Sequence, residues 1–404
     1  MRFADIIGQT AIKKQLSELV QHNRLSHALL FIGKEGSGAL PLAIAFAQYI
    51  TCEKISPNQQ IKSAGPSLFG DADPEPAKPI AFPIDSCGQC PSCLKAAQLV
   101  HPDIHFSYPT VTKKAGEKPI ATDFIQEWRE FIKLNPYGNL FEWIEAIKEK
   151  ENSQGKITAE ECNEIIKKLS LKSFESEYKV LLMWMPENLG SEGNKLLKLI
   201  EEPPANTLFI LITENEPLVL QTIVSRCQLI KIPALEPADI ETALINRNKT
   251  EPAIARQVAM VSDGNYHEAL QLLQHADEDW QMFLREWLNA ILKTGPLAQT
   301  KWVEDISRLG REKQKQFLRY FNHLLEQALR LRINGNIPGL GDTEKDFAQR
   351  LNKIAGIEQQ EAIVEEIDRA SYYIERNANA KILFHALTIK LYHIIQDKIV
   401  FLTD

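Results

Sequence analysis

The turn Gly33-Lys34-Glu35-Gly36-Ser37-Gly38 constrains this chain more than any other stretch. Before it, His27 to Ile32 reads as a short buried strand; after it, Ala39 to about Ile50 reads as a helix. A first helix is expected over Ala11 to His22. Strand, glycine turn and helix in that order open an α/β unit. Phosphate loops share this frame as G-x-x-x-x-G-K-[ST]. Their glycines expose backbone N–H groups, the lysine reaches the β and γ phosphates, and the hydroxyl holds Mg²⁺. Gly33, Gly36, Ser37 and Gly38 keep the frame, but Ala39 and Leu40 stand where the lysine and the hydroxyl belong. Lys34 comes five residues too early to replace the lysine. The segment reads as a vestigial phosphate loop or as an ordinary tight turn. Weak nucleotide binding fits it; efficient hydrolysis does not.

The partner of such a loop in ATPases is an apolar strand ending in Asp-Glu, where Asp organises Mg²⁺ and Glu polarises the attacking water. Here the strand expected over Lys179 to Met185 runs into Trp184-Met185-Pro186-Glu187, and the nearest carboxylate, Glu187, lies about two positions late. Around it the texture is regular. Helices are expected over Ala159 to Leu169 and Gly193 to Glu201, and strands over Thr207 to Thr213 and Leu229 to Ile232. Strand signals stop after Pro233. Short helices to about Ala276 give way to longer ones, with apolar residues at helical spacing in Phe317, Phe321, Leu324, Ala328 and Leu331 and in Leu383, Leu387, Leu391 and Ile395. These stripes serve the domain's own core or a subunit interface, as do Trp280, Trp287 and Trp302.

Two segments break the texture. Pro57 to Pro83 holds six prolines with Ser, Gly and Asp, and reads as a mobile loop. Residues 110–155 are charged and aromatic, with Trp128, Phe131, Phe141 and Trp143, and read as a helical insertion. Between them Cys87-Gly88-Gln89-Cys90-Pro91-Ser92-Cys93 gives two C-x-x-C steps sharing one cysteine. Only six cysteines occur in 404 residues, so the crowding speaks for metal rather than disulfides in a reducing compartment. A closed structural zinc site needs a fourth ligand, for which His101 and Asp85 are candidates; Cys162 reads as a buried helix residue. The net charge of −7 argues against nucleic-acid binding through overall charge. No apolar run approaches the ~20 residues of a membrane span, and the start of the chain lacks the pattern of a signal peptide. A cytoplasmic protein without membrane contact is expected.

Several segments together resemble bacterial clamp-loader subunits, the AAA+ proteins of the DNA polymerase III holoenzyme. They are Phe3-Ala4-Asp5-Ile6-Ile7-Gly8-Gln9, the strand from Ser26 to Phe31, Asn194 to Lys198 leading into Glu201-Glu202-Pro203-Pro204, and Ser225-Arg226-Cys227. The missing lysine and missing Asp-Glu, with Ser-Arg-Cys retained, resemble the delta-prime class rather than the ATP-hydrolysing tau/gamma class. Residues 54–83 and 110–155 have no counterpart in the family pattern. The resemblance covers residues 280–404 only loosely, through Glu375-Arg376-Asn377-Ala378-Asn379.

The resemblance implies an AAA+ domain with a RecA-like, P-loop-type parallel sheet over residues 1–232, carrying a zinc module at about 52–101. A small helical lid at 233–278 and an all-α collar at 279–404 follow. It implies Arg226 as an arginine finger acting in trans on a neighbour's ATP, the alternative being an arginine paired with a local carboxylate. It also implies Cys52 as the fourth thiol beside Cys87, Cys90 and Cys93, although 34 residues separate Cys52 from Cys87. His267 takes the place of a sensor arginine in Gly264-Asn265-Tyr266-His267-Glu268-Ala269-Leu270, and by itself reads as a helix-surface residue. ATP or ADP binding in cis is expected to be weak or absent. The implied partners are tau/gamma and delta subunits, the sliding clamp and primer–template DNA. The competing readings are an active tau/gamma-type ATPase and an unrelated zinc-stabilised nucleic-acid-binding module.

Overall fold

The computed structural model of the chain describes residues 1–55, 83–112, 118–148, 154–274, 280–335, 342–376 and 378–398. The proline-rich stretch read as a mobile loop lies outside these residues except for Pro83. The chain divides into two compact units, Met1–Leu270 and Gln271–Asp404.

The first unit runs α1 (Thr10–Gln21), β1 (Ala28–Gly33), α2 (Ala39–Thr51), α3 (Pro91–Ala97), β2 (Ile104–Ser107), α4 (Ile125–Leu134), α5 (Leu140–Ile147), α6 (Ala159–Ser170) and β3 (Lys179–Trp184). It continues with α7 (Leu197–Glu201), β4 (Thr207–Thr213), α8 (Gln221–Val224), β5 (Gln228–Ile232), α9 (Pro237–Asn248) and α10 (Pro252–Val261), and ends within α11 (Tyr266–Gln274). The five strands form one parallel sheet in the order β2-β3-β4-β1-β5. This is the parallel α/β sheet expected of an AAA+ chain.

Strand side chains alternate between faces, and in the central strands β3 and β4 both faces are dry, as a parallel sheet requires. Leu29, Phe31, Val180, Leu182, Trp184, Leu208, Ile210 and Ile212 pack into one core with α2 and the residues of α4 and α5. Ala28, Leu30, Leu181, Met183, Phe209 and Leu211 pack into a second core with α6 and Ile223 of α8. Cys162 is buried there, its Sγ 3.7 Å from the Glu192 carbonyl it donates to.

Two features depart from expectation. The edge strand β2 was not anticipated: it is four residues long and carries a polar His105, too little for a period-2 pattern to register. The helix expected over Gly193 to Glu201 is α-helical only from Leu197; Pro186–Leu196 is 3-10 helix, interrupted at Gly190, whose φ of +55° is left-handed. The insertion is closed at its base by paired backbone bonds between Thr110 and Lys156, at 2.9 and 3.0 Å.

The second unit is helical: α12 (Trp280–Asn289), a π-helical turn (Ala290–Thr294), α13 (Pro296–Arg308), α14 (Arg311–Asn334), α15 (Asp342–Ile354), α16 (Ile357–Glu375) and α17 (Ala380–Gln396). Trp287 and Trp302 stack at 4.4 Å with planes 4° apart, and the Trp287 indole N–H donates to Thr388 Oγ1 at 3.0 Å. These tryptophans and the stripe from Phe317 to Leu331 belong to the unit's own core. Among the described residues no helix is long and apolar enough to cross a membrane.

A buried acid joins the insertion to α6. Glu161, 2% exposed, accepts a bond from the Ala121 N–H at 2.7 Å, while its own N–H is capped by Thr158 Oγ1 at 3.2 Å. Burial pushes its pKa above the ordinary 4.5. The folded chain therefore holds a proton that the unfolded chain releases, and this side chain's contribution to stability is lost as pH rises from 4.5 through the folded value. Glu161→Gln keeps the acceptor without the charge. Thermal melts are expected to show no advantage for the variant near pH 4 and a melting temperature above wild type that grows as pH rises from 4.5 through the folded value and then levels off.

Candidate functional site

The glycine turn joins the end of β1 to α2. Gly36 and Gly38 have φ of +69° and +88°, which only glycine adopts readily. Their surroundings also exclude side chains. A Cβ on Gly36 would lie 1.8 Å from Asn265 Oδ1, and one on Gly38 would lie 3.0 Å from the Tyr137 ring. The Tyr266 N–H donates to the Gly36 carbonyl at 3.2 Å. Gln9 Nε2 donates to the carbonyls of Ser37 and Pro233, at 3.0 and 2.7 Å. Ser37 is buried, and Lys34 is exposed on the turn.

The cavity over this turn is lined by Gly33, Gly38, Tyr137, Trp184 and Glu214, among others, and its volume of about 20 Å³ suits one or two waters. The strand-end position that carries Asp in ATPases holds the Trp184 indole, packed 5.4 Å from Trp128 and 6.1 Å from Phe131 of α4. Carboxylates stand close together here, beside Lys34 of the turn. Part of Glu214 reaches solvent at the rim, yet crowding around its carboxyl and the nearby Glu35 and Glu187 carboxylates push its pKa up to about 8. Glu187, whose Oε1 accepts from the Glu214 N–H at 3.4 Å, is likewise raised by burial.

His267 is not a helix-surface residue. It is 5% exposed and its Nε2 lies 3.4 Å from Glu142 Oε1 on α5. The helical pattern of α11 could not anticipate this, because the covering side chain comes from the insertion.

The four cysteines come together. The Sγ atoms of Cys52, Cys87, Cys90 and Cys93 all lie within 4.8 Å of one another, and Cys87 and Cys93 are 3.9 Å apart. Four thiolates at ~2.3 Å around a tetrahedral ion would be about 3.8 Å apart, so the donor set fits a metal with little movement. Backbone N–H groups of Cys87, Cys90 and Cys93 point at the sulfurs of Cys52, Cys87 and Cys90 at 3.4–3.5 Å. The hydrogen bond from Cys93 draws the Cys52 thiol down to about 5, and the same contact pushes Cys93 up.

The substitute ligands are engaged elsewhere. Asp85 accepts the N–H groups of Phe3 and Ala4, both at 2.9 Å. Buried His101 takes the Asp103 N–H on Nδ1 at 3.1 Å, and its Nε2 faces Ser92 Oγ at 3.0 Å and Glu175 Oε1 at 3.2 Å. Cys52, Cys87, Cys90 and Cys93 are the cluster.

Arg226 stands at the turn from α8 into β5. Its guanidinium is bonded to Glu201 Oε2 at 3.1–3.2 Å and to the Thr222 carbonyl at 3.0 Å, with the Arg226 and Glu201 side chains 34% and 58% exposed. Sequence reasoning raised pairing with a local carboxylate as the alternative to a finger; Glu201 is that carboxylate. Sequence reasoning missed Tyr137 and Glu214. Asn135-Pro136-Tyr137-Gly138 announces a turn, but nothing in it says where the aromatic ring goes.

A parallel α/β sheet whose glycine turn lacks the lysine, hydroxyl and Asp-Glu of a phosphate loop defines an α/β chain of phosphate-loop type. The family model described as "DNA polymerase III, delta subunit" matches residues 8–66 and 82–236, just over half of the chain, and the chain belongs to that family. DNA polymerase III subunit delta-prime of Bacillus subtilis (strain 168) is 27% identical over 266 residues, covering 65% of this chain and 59% of that protein. The Escherichia coli (strain K12) delta-prime subunit is 25% identical over 331 residues, 79% of this chain and 76% of its own length. The tau subunit of Bacillus subtilis is 24% identical over 335 residues, 81% of this chain and 46% of that protein. The chain thus spans less than two thirds of both Bacillus relatives.

The four-thiol cluster predicts one equivalent of tightly held metal per purified chain by elemental analysis. Cys87→Ala/Cys93→Ala is expected to lose it, and Cys162→Ala to keep it.

Proposed function

We propose that the chain is a non-hydrolysing, delta-prime-like subunit of a DNA polymerase III clamp loader. It takes one place in a ring with tau/gamma and delta subunits that sets the sliding clamp on primer–template DNA, and Arg226 serves as the arginine finger of a neighbour's ATP site. The observation that carries this reading is the pairing of a filled, acid-lined cleft with a half-exposed guanidinium at the α8–β5 turn. An ion pair as exposed as Arg226–Glu201 is worth about 0–1 kcal/mol, so a triphosphate offered by another subunit can take the guanidinium from Glu201. There it would offset charge developing in the transition state and couple hydrolysis to assembly.

The cysteine cluster suits zinc: four thiolates close the coordination shell and leave no position for chemistry, so the ion is structural. Residues 233–278 act as the helical lid and 279–404 as the collar of the ring. Any contact with DNA in the assembled complex goes through backbone phosphates and helix N-termini rather than base reading, and the net charge of −7 speaks against tight DNA binding by the isolated chain.

The test is reconstitution with tau/gamma and delta subunits, comparing clamp- and DNA-stimulated ATPase for wild type and Arg226→Ala. Assembly is expected to persist. Turnover at the facing site should fall about 10³-fold or more, so the complex loses the share of turnover that site carries. Unchanged turnover would remove the trans role, and ATP hydrolysis by the isolated chain, absent from a loop-deleted variant, would favour a tau/gamma-type motor.

A further inference from the structure

The insertion between Thr110 and Lys156 has no part in the reading above, yet Pro136, Tyr137 and Gly138 from it line the cavity over the glycine turn. Tyr137 sits in the turn between α4 and α5, closed by the Gly138 N–H on the Asn135 carbonyl at 2.9 Å. Its side chain is 5% exposed and meets three separate parts of the chain. The ring lies against Gly38 at the start of α2, packs edge-on to Tyr266 of α11 at 5.0 Å, and its Oη accepts the Ile7 N–H at 2.9 Å. Burial and the surroundings push this phenol up to about 12, so it stays neutral.

Neighbouring residues of the insertion repeat the pattern. Asn139 Nδ2 donates to Glu35 of the glycine turn at 3.3 Å, the same carboxylate that Asn265 of the α11 cap reaches at 3.5 Å. Glu142 faces His267. Behind them, Trp128 and Phe131 cover Trp184 at the strand end.

We infer that the insertion is an internal occupant of the nucleotide cleft. Tyr137 fills the space over the phosphate-type turn and ties that turn, the N-terminal segment and the start of α11 together, a cross-link that bound nucleotide would otherwise have to supply. The cleft is held in one arrangement by protein alone, whatever the nucleotide concentration. The inference deepens the reading of a silent site and is independent of the trans role of Arg226.

Hydrogen-exchange mass spectrometry on the full chain, with a titration of a fluorescent ADP analogue (mant-ADP) in Mg²⁺ and a phosphate-release assay on the same samples, tests it. Wild type is expected to show no saturable mant-ADP binding and no change in exchange with ADP. In Tyr137→Ala, exchange at the Ile7 and Tyr266 amides should rise about tenfold, the order expected when a buried N–H loses its acceptor or its cover. Tyr137→Phe keeps the ring and removes Oη, so Ile7 alone should respond; this variant carries the test if Tyr137→Ala does not fold. Unchanged exchange at Ile7 in Tyr137→Phe, or saturable mant-ADP binding to wild type without turnover, overturns the internal occupant and leaves the silent-site reading standing. Turnover by the isolated wild-type chain overturns both.

Discussion

The contact of Trp184 with Trp128 and Phe131 at the end of β3 decides what the rest of the first unit can be. A strand end that organises a hydrated cation needs carboxylate, water and access. This one is closed by three aromatic rings, and Trp184 is 3% exposed. Burying a charge among such rings without a partner would cost several kcal/mol, so restoring Asp at position 184 would bring the acid back without restoring the metal site. Tyr108 stacks on Trp128 at 4.1 Å and Trp143 meets both edge-on at 5.1 Å, which makes the insertion and the sheet one core. The absence of Asp at the end of β3 and the docking of α4 and α5 against it are thus two faces of one structural fact.

The cysteine module is tied to the sheet domain in a way that suits a structural ion. Asp85, two residues before the first cysteine of the run, accepts the N–H groups that open the Phe3–Asp5 turn. Ser86 accepts from Gln48 of α2 at 3.0 Å, and Gln48 in turn accepts from the chain's amino group at 2.8 Å. Cys52 is the residue immediately after α2, while Cys90 caps the short α3. A metal on these four sulfurs would therefore fasten the N-terminal segment, α2 and α3 at one point. It would close a long loop, where a cross-link removes the most chain entropy.

Much of this was legible in the residues. β1, β4, β5 and the long helices follow from apolar runs and helical spacing, and the empty phosphate-loop positions follow from Ala39 and Leu40. The three clustered cysteines were evident, and Cys52 joined them through family resemblance rather than spacing. What stayed hidden depended on contacts between segments distant in sequence. His267 is covered by Glu142, 125 positions earlier. Tyr137 is used by Ile7, Gly38 and Tyr266, and no local pattern encodes that meeting. β2 escaped because four residues with a histidine among them do not make a periodic signal, and the 3-10 stretch escaped because only Gly193 to Leu196 of it fell within the helical pattern expected to Glu201.

On the proposed reading the cleft is silent, and that changes what the rest of the subunit can do mechanically. In a working motor the glycine turn and the helices over it must separate and rejoin as nucleotide comes and goes, and every element attached to β1 shares that movement. Here the same elements are bridged by side chains that do not dissociate. β5, entered from the turn that bears Arg226, pairs with β1 along Leu29 to Gly33, the strand that ends at the glycine turn. An arginine offered to a neighbour gains from such a mount. Holding a guanidinium in place before the phosphate arrives saves ordering entropy at the moment of reaction, and the weak bond to Glu201 keeps the side chain extended without holding it fast. On the proposed reading, the residues lost from the cleft and the residue kept at the α8–β5 turn serve one purpose. The first make the subunit rigid, and the second puts that rigidity to use next door.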